Sequence, residues 1–247
     1  MSDEIEQCIE EYRKNKHRLV PFANSVRDVF EQHPMLNSGA IPVLHSIRMR
    51  LKDEEHLRDK LRRKASNGNP VAPPDLLRKI NDLAGVRVLH LYQAQFSVIY
   101  DVIRDQLREQ DWALHEDPVA YTWDPESRAY FESIDLRTEV KESIYTSIHF
   151  VLKPRVDSMI CCELQVRTLF EEIWGEVDHQ VNYPHPTKSD SCREQIRVLS
   201  RLVGAGSRLN DSIFRSYHEY ADRSSATLGS EQGRQDVSVN SSGNDDV

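Results

Sequence analysis

The clearest chemical pattern in the chain is a row of polar side chains on a predicted strand. Glu163, Gln165 and Arg167 alternate with apolar residues, and this period of two predicts a strand with one polar and one apolar face. The polar face presents a carboxylate, an amide and a guanidinium, groups that can hold a cation or bind an anion. The alternative interpretation is a half-exposed edge strand whose polar face is only solvated.

An amphipathic helix is predicted immediately after this strand. Thr168 can cap the helix, and Glu171 and Glu172 favour its first turn. An apolar stripe at intervals of four residues indicates the face that packs on a core, and it comprises Leu169, Ile173, Val177 and Val181. A second stripe is polar and contains Glu172, Glu176 and His179.

A strongly basic stretch lies near the start of the chain, at residues 45–64. It contains eight Lys or Arg residues against four Asp or Glu residues, a local balance of +4 in an acidic protein. If Asp53 caps a helix here, Lys60 and Arg63 share one of its faces. Lys52 lies just before that helix, so the basic side chains form a stripe that can hold a polyphosphate. The alternative is a solvated amphipathic helix whose charges pair with one another.

Two charged residues stand near the start of a predicted buried strand. Residues 81–92 predict a turn followed by a strand, with Asp82 in the turn and Arg87 inside the apolar run. A charged residue in such a run needs a partner or a ligand, whereas a lone aspartate in a turn is more often a turn residue or cap.

A second predicted strand with a polar face spans residues 141–153. Tyr145, Ser147 and His149 point to one side of it, and the residues between them point to the other. An exposed tyrosine at the start of a strand can stack on a nucleobase. The alternative is cross-strand packing against a neighbouring side chain.

Composition limits the classes to which the protein can belong. The chain has 247 residues, is 38% hydrophobic and 29% charged, and carries a formal net charge of -8. These values predict a soluble globular core, and the negative charge disfavours bulk nonspecific nucleic-acid binding. The cysteines lack ligand spacing, the N-terminus lacks an apolar signal segment, and no apolar run approaches the roughly 18 residues of a membrane span. We therefore expect a cytoplasmic protein with reduced thiols and no membrane association.

Changes in pattern along the chain divide it into four regions. We expect an N-terminal helical region at 1–40, a core at 41–186, a C-terminal helix at 187–223 and a disordered tail at 224–247. Gly204 and Gly206 can kink or divide the C-terminal helix. Alternating strands and helices in the core predict an α/β fold.

Taken in order, these stretches resemble the synthetase domain of the RelA/SpoT family. Arg50-x-Lys52, followed by Lys60 and Arg63, is similar to an ATP-binding helix motif, and Asp82-Leu-Ala-Gly85-Val-Arg87 is similar to a metal-binding strand entry. Lys141-Glu-Ser-Ile-Tyr145-Thr-Ser147-Ile-His149 resembles a guanine-binding loop and strand, and Glu163-Leu-Gln165-Val-Arg167-Thr168, with Trp174 and Asp178-His179, resembles a signature strand and helix. The resemblance covers roughly residues 45–183. It implies an α/β (α+β) nucleotidyltransferase-like synthetase fold, with a mixed β-sheet flanked by helices, in a short stand-alone form.

The resemblance implies an enzyme that makes (p)ppGpp by transferring pyrophosphate from ATP to the 3′-hydroxyl of GDP or GTP. The implied catalytic and Mg²⁺-binding carboxylates are Asp82 and Glu163, and Glu163 would also activate the 3′-hydroxyl. The implied ATP-binding residues are Arg50, Lys52, Lys60, Arg63 and Arg87. The implied acceptor-nucleotide residues are Lys141, Tyr145, Ser147, His149, Gln165 and Arg167, with Tyr145 stacking on guanine.

The chain departs from the family pattern on the acceptor side. Ile144 stands where relatives usually have glycine, Thr146 where they have a basic residue, and Glu172 where they often have a smaller polar residue. The acceptor therefore stays open, because some toxic relatives transfer pyrophosphate to the 3′ CCA end of tRNA or to adenosine nucleotides. A catalytically dead nucleotide-binding module is a third alternative, which the presence of both Asp82 and Glu163 disfavours. A homo-oligomer is likewise an open alternative.

Overall fold

The computed structural model describes residues 2–141, 144–183 and 186–239, with side chains described as far as Arg223 except at positions 2 and 222. The helices are α1 (Ser2–Gln32), α2 (Pro34–Asn37), α3 (Glu54–Ser66), α4 (Leu76–Lys79), α5 (Phe96–Arg108), α6 (Pro125–Ser133), α7 (Leu169–Asn182) and α8 (Asp190–Val239). The strands are β1 (Ser46–Leu51), β2 (Ala84–His90), β3 (Ala113–Tyr121), β4 (Arg137–Glu139), β5 (Ser147–Lys153) and β6 (Cys162–Thr168). Short 3₁₀ turns occur at Pro73–Asp75 and Gln93–Gln95.

The strands form one mixed sheet in the order β1-β2-β6-β5-β3-β4. β2 runs parallel to β6 and β3 runs parallel to β4, while the other neighbouring pairs are antiparallel. The predicted mixed sheet flanked by helices is confirmed. β6 is paired on both sides and all of its residues except Glu163 are buried, so its interpretation as an edge strand is wrong.

Strand register places four polar side chains in one row across the sheet. Arg48 on β1 is paired with Arg87 on β2, Arg87 with Gln165 on β6, and Gln165 with His149 on β5. Glu163 and Arg167 of β6 lie on the same face as Gln165, because alternate residues of a strand point the same way. One face of the sheet therefore concentrates the polar groups predicted from the sequence.

The main apolar core lies on the opposite face, where α1 packs on the sheet. Val86 of β2, Leu164 of β6 and Phe150 of β5 belong to the same buried cluster as the α1 residue Phe30. Tyr12 of α1 donates its hydroxyl hydrogen to the backbone carbonyl of Lys52, 2.7 Å away. This hydrogen bond fixes the turn between β1 and α3, so α1 holds the backbone of the basic stretch in place.

Helix α7 covers the polar face of the sheet, and it buries a different side from the one predicted. Trp174 is 1% exposed, and its indole N–H donates to the carbonyl of Ile196 in α8 at 3.1 Å. Ile173 and Val177, which we assigned to the core, are 55% and 39% exposed. A repeat of four residues turns by about 40° at each step around a helix with 3.6 residues per turn, so the stripe does not stay on one face.

The last helix, α8, is continuous through Gly204 and Gly206. A Cβ atom added to Gly204 would lie 3.1 Å from the ring of Trp123, and one added to Gly206 would lie 2.8 Å from the ring of Phe170. The glycines therefore allow close packing on these rings, and the prediction that they divide the helix is wrong.

The same helix also ends later than predicted. It continues past Arg223 to Val239, where we expected a disordered tail to begin at residue 224. Residues 224–239 contain no proline, and extending an existing helix is easier than nucleating a new one. The tail prediction is corrected for this stretch, and residues 240–247 lie outside the described part of the chain.

Within the described ranges, no helix is long and apolar enough to cross a lipid bilayer.

Candidate active site

The junction between β6 and α7 fixes the polar strand relative to the helix that covers it. The Thr168 side chain accepts a hydrogen bond from the backbone N–H of Glu171 at 3.2 Å. The Glu171 carboxylate accepts one in return from the backbone N–H of Thr168 at 2.6 Å. This reciprocal pair is a capping box, and it confirms the predicted cap at Thr168.

Asp82 lies just before β2 and is held by two lysines from the basic stretch. Lys52 Nζ lies 2.9 Å from one carboxylate oxygen, and Lys60 Nζ lies 2.8 Å from the other. Burial opposes ionisation of Asp82, but the two ammonium groups outweigh it and lower its pKa to about 2. Asp82 is therefore an ionised carboxylate with basic partners, and more than a turn residue.

Glu163 occupies the centre of the polar face and is held by its neighbours in the sheet. Its Oε1 atom lies 3.0 Å from Nδ1 of His149, and its Oε2 atom accepts a hydrogen bond from Gln165 at 2.9 Å. Burial opposes its ionisation, but the hydrogen bond and charge of His149 lower the pKa of Glu163, while the charge of Asp82 acts in the opposite sense. Two interacting carboxylates, both ionised at neutral pH, thus stand on one side of the sheet.

Tyr145 is placed differently from its prediction. β5 begins at Ser147, so Tyr145 precedes the strand and is half-buried against the ring of Trp174, 6.0 Å away between centroids. Its hydroxyl lies 2.9 Å from Nε2 of His149 and accepts a hydrogen bond from Arg167 at 3.0 Å. The tyrosine is therefore tied to the polar row by its hydroxyl group, and it is not an exposed ring at a strand start.

A second tyrosine, Tyr121 at the end of β3, lies beside Tyr145. The ammonium of Lys141 lies 3.5 Å from the ring centroid of Tyr121 and 4.8 Å from that of Tyr145. The Tyr121 ring also contacts the edge of His149, with centroids 5.1 Å apart. Burial lowers the pKa of Lys141. These groups form an aromatic and cationic cluster at the β5 side of the site.

Helix α7 contributes two glutamates that pair with the arginines of the sheet. One nitrogen of Arg87 lies 2.6 Å from Glu172 and 2.7 Å from Glu176, which provides the partner that a charged residue in this strand needs. The second carboxylate oxygen of Glu172 lies 3.2 Å from NH1 of Arg167. Arg167 is 3% exposed and also donates to Gln165 at 2.6 Å, so it lies inside this network.

A cleft of about 530 Å³ lies between the polar face and α7. The predicted residues that line it are Arg50, Arg87, Tyr145, Gln165 and Arg167. The residues Lys52, Lys60, Arg63, Lys141, His149, Asp82 and Glu163 are not among those that line it. The first two point at Asp82, and the guanidinium of Arg63 lies 5.5 Å from the ring centroid of Tyr183. Ser147 is also excluded, since it is 2% exposed on the buried part of β5.

The placement of the basic motif corrects one prediction. Arg50 lies on β1, Lys52 follows that strand, and Lys60 and Arg63 lie on α3, so the motif is divided between a strand and a helix. The predicted helix cap is confirmed, because the Asp53 carboxylate accepts hydrogen bonds from two backbone N–H groups of the first turn.

Several residues of the site were missing from the predicted set. Tyr121 lies in a stretch without clear periodicity, so no pattern identified it. Glu176 is different, since the polar stripe on the predicted α7 helix already contained Glu176 and His179. Tyr183 lies beside this stripe, because its ring stacks on that of His179 with centroids 4.6 Å apart. The stripe could have placed Glu176 and Tyr183 opposite the sheet if the position of the helix had been known.

Comparison with known proteins identifies the fold first. The small alarmone synthetase 1 from Bacillus subtilis is similar over 89% of this chain and 99% of its own, with 18% identity and a TM-score of 0.59. Its structure bound to its product pppGpp matches over 84% of this chain and 93% of its own, with 19% identity and a TM-score of 0.57. The fold is that of the small alarmone synthetases.

The family follows from the sequence comparison. Residues 49–188 match the family described as "Region found in RelA / SpoT proteins". The curated protein GTP pyrophosphokinase YjbM from Bacillus subtilis (strain 168) is 25% identical over 173 residues, which are 66% of this chain and 67% of that protein. The chain belongs to the RelA/SpoT family, as its ordered motifs indicated.

Proposed function

We propose that this protein is a (p)ppGpp synthetase, a GTP diphosphokinase that transfers pyrophosphate from ATP to the 3′-hydroxyl of GDP or GTP. Family membership supports the proposal, as do a relative named as a GTP pyrophosphokinase and a structural neighbour bound to pppGpp. The observation that carries it is the pair of ionised carboxylates, Asp82 and Glu163, beside a cleft lined with arginines. Such a pair suits phosphoryl chemistry, in which charge must be neutralised and a hydroxyl group deprotonated.

The donor side of the site is assigned to the basic residues around Asp82. Lys52 and Lys60 already neutralise this carboxylate, and Arg50 and Arg87 line the cleft beside it. In the proposal these cations, together with Arg63, bind the phosphates of ATP and stabilise the charge that develops during transfer. An incoming polyphosphate would take over contacts that the lysines now make with Asp82.

The two carboxylates also fit a Mg²⁺ ion. Mg²⁺ is usually bound by one or two carboxylates together with waters and substrate phosphates, and Asp82 and Glu163 would supply the carboxylates. Within the described residues there is no group of three or more His, Cys, Asp or Glu side chains placed to hold a metal ion together. Two carboxylates suit a metal ion that enters together with the nucleotide, and the ion would neutralise phosphate charge there.

The acceptor side is assigned to the cluster around Tyr145. Glu163 is ionised and hydrogen-bonded to His149 and Gln165, so it can accept the proton of the 3′-hydroxyl. The 3′-oxygen then forms a bond to the β-phosphorus of ATP, and the bond from that phosphorus to the oxygen that bridges the α- and β-phosphorus atoms breaks. AMP leaves, and GDP or GTP becomes ppGpp or pppGpp. Tyr145 is assigned to the acceptor base, and Lys141 to its phosphates.

The acceptor is tested by offering alternatives side by side. The protein is incubated with γ-labelled ATP and Mg²⁺, separately with GDP, GTP, unlabelled ATP and total tRNA. The γ-phosphate is part of the transferred pyrophosphate, so the label should appear in a guanosine nucleotide and AMP should form in equal amount. Label found only in tRNA or in an adenosine nucleotide would contradict the guanosine assignment. No transfer to any of them would contradict the proposed chemistry.

A further inference from the structure

Glu172 connects the two halves of the site through its two carboxylate oxygens. Oε1 lies 2.6 Å from Arg87, which is assigned to the donor, and Oε2 lies 3.2 Å from NH1 of Arg167. Arg167 in turn donates through NH2 to the hydroxyl of Tyr145 at 3.0 Å, on the acceptor side. Glu172 is 12% exposed, so solvent screens these charges less than it would at the surface.

A glycine on the same helix as Glu172 makes room for Arg167. A Cβ atom at Gly175 would lie 2.5 Å from NH1 of Arg167, closer than Cβ atoms in proteins come to another heavy atom. The guanidinium therefore occupies space that any other residue at position 175 would fill. The absence of a side chain at Gly175 thus allows Arg167 to lie between Glu172 and Tyr145.

We propose that Glu172 is a positioning residue that couples binding of the donor nucleotide to release of the acceptor tyrosine. The proposal rests on the proposed function, since it needs a phosphate-bearing donor at Arg87. When Arg87 turns to phosphate, a carboxylate so close to that phosphate is repelled by it. Glu172 then pairs with Arg167 alone and draws its guanidinium away from Tyr145. The tyrosine hydroxyl, no longer tied to Arg167, keeps its hydrogen bond with Nε2 of His149, and the ring can turn about this remaining contact to stack on the acceptor base.

The coupling must be reciprocal. If donor binding releases Tyr145, an acceptor that stacks on Tyr145 favours the state in which Glu172 has left Arg87, and it thereby favours donor binding. Each nucleotide tightens the binding of the other. Glu176 provides an internal comparison, because it contacts the same nitrogen of Arg87 at 2.7 Å, and no contact between its carboxylate and Arg167 closer than 4 Å is found.

The test measures the dissociation constant of the ATP analogue AMPCPP by calorimetry, with and without saturating GDP. In the wild-type protein GDP should tighten AMPCPP binding roughly fivefold or more. In Glu172→Gln the ratio should fall to near one, because an amide has a single acceptor oxygen and cannot bridge two arginines. AMPCPP alone should bind this variant more tightly, because Arg87 is no longer held by the carboxylate.

Glu176→Gln is the matched control. It should also tighten AMPCPP binding, because it frees Arg87, but it should keep the wild-type ratio. A wild-type ratio near one, a ratio retained in Glu172→Gln, or an equal loss in both variants would each overturn the coupling while both nucleotides still bind. Failure of the wild-type protein to bind AMPCPP would instead contradict the proposed function.

A second measurement does not depend on the acceptor. Trp174 packs against Tyr145, so in a Trp112→Phe/Trp123→Phe protein its emission reports movement of that ring. AMPCPP should change the emission in this protein and in its Glu176→Gln derivative, but not in its Glu172→Gln derivative. An AMPCPP response that is absent, or that survives Glu172→Gln, would overturn the proposal even if GDP does not bind.

Discussion

His149 and Glu163 are in direct contact across two neighbouring strands, with Nδ1 of the imidazole 3.0 Å from Oε1 of the carboxylate. This contact helps to lower the pKa of Glu163 against the effect of its burial. The deprotonated carboxylate is the form that can act as a base, so activity falls as the pH drops through the pKa of Glu163. Without the histidine, the cost of burial remains and that pKa should rise.

His149→Ala should therefore move the acidic limb of the pH profile of kcat/KM to higher pH. His45→Ala is the control, because His45 is exposed before β1 and its imidazole contacts the hydroxyl of Ser46, away from Glu163. The profile of the control should match that of the wild type. An acidic limb that stays in place in His149→Ala would show that the imidazole does not set the charge of Glu163.

Lys60→Ala should weaken the use of ATP more than the use of GDP. Lys60 reaches Asp82 from α3, and the loss of one charge-assisted contact to phosphate corresponds to roughly tenfold or more in the KM for ATP. Arg62→Ala removes a charge from the same helix, but Arg62 is exposed and pairs with Asp59, so it should change neither KM. Equal increases in both KM values for Lys60→Ala would refute the division into donor and acceptor sides.

Local patterns predicted the features that depend on a few neighbouring residues. Asp53 and Thr168 cap helices as their positions indicated, because a cap depends only on the first turn. The alternation from Glu163 to Arg167 predicted a strand and its polar face, because side-chain direction in a strand has a fixed period.

Features that depend on distant parts of the chain could not be predicted in this way. The ion pairs of Lys60 with Asp82 and of Arg87 with Glu172 join residues far apart in sequence, and they form only after the sheet and helices assemble. The burial of Tyr145 likewise depends on Trp174, which α8 holds in place. Position along the helix was not enough to predict which side of α7 faces the core.

His90 should make the protein less stable as the pH falls. The imidazole is 2% exposed, Nδ1 donates to the carbonyl of Tyr92 at 2.9 Å, and Nε2 has no hydrogen-bond partner among the described residues. Burial lowers the pKa of His90 from 6.5 to about 4. Between these values the unfolded chain binds a proton that the folded protein does not, so folding loses at most about 3 kcal/mol as the pH falls from 6.5 to 4.

The check is urea denaturation of wild type and His90→Gln at several pH values. The difference between their unfolding free energies should change between pH 6.5 and 4 and stay constant above pH 7.5. Below pH 4 it should level off, because both states of His90 are then protonated. A difference that is independent of pH would contradict burial of a neutral imidazole.

Ile144 adopts a backbone conformation that suits glycine better. Its φ angle is +60°, a region where a β-branched residue is strained, and it stands just before Tyr145. Replacing it with glycine should relieve about 1–3 kcal/mol of strain and cost about 0.5–1 kcal/mol of chain entropy. Ile144→Gly should therefore raise the midpoint of thermal unfolding.

Gln110→Gly is the matched control for this substitution. Gln110 has a φ of +62° but is not β-branched, so its replacement should stabilise the protein less. A lower unfolding midpoint for Ile144→Gly than for the wild type would show that the isoleucine side chain contributes more than its backbone strain costs.

The most direct test of the proposed chemistry is Glu163→Gln assayed with γ-labelled ATP and the preferred acceptor. The substitution keeps the size of the side chain but removes the charge that accepts the 3′-hydroxyl proton and would hold Mg²⁺. Transfer of label should fall by on the order of 10²-fold or more, while the unfolding midpoint and the calorimetric affinity for the acceptor stay close to those of the wild type. Transfer within a few-fold of wild type would contradict the assignment of Glu163 as the catalytic carboxylate.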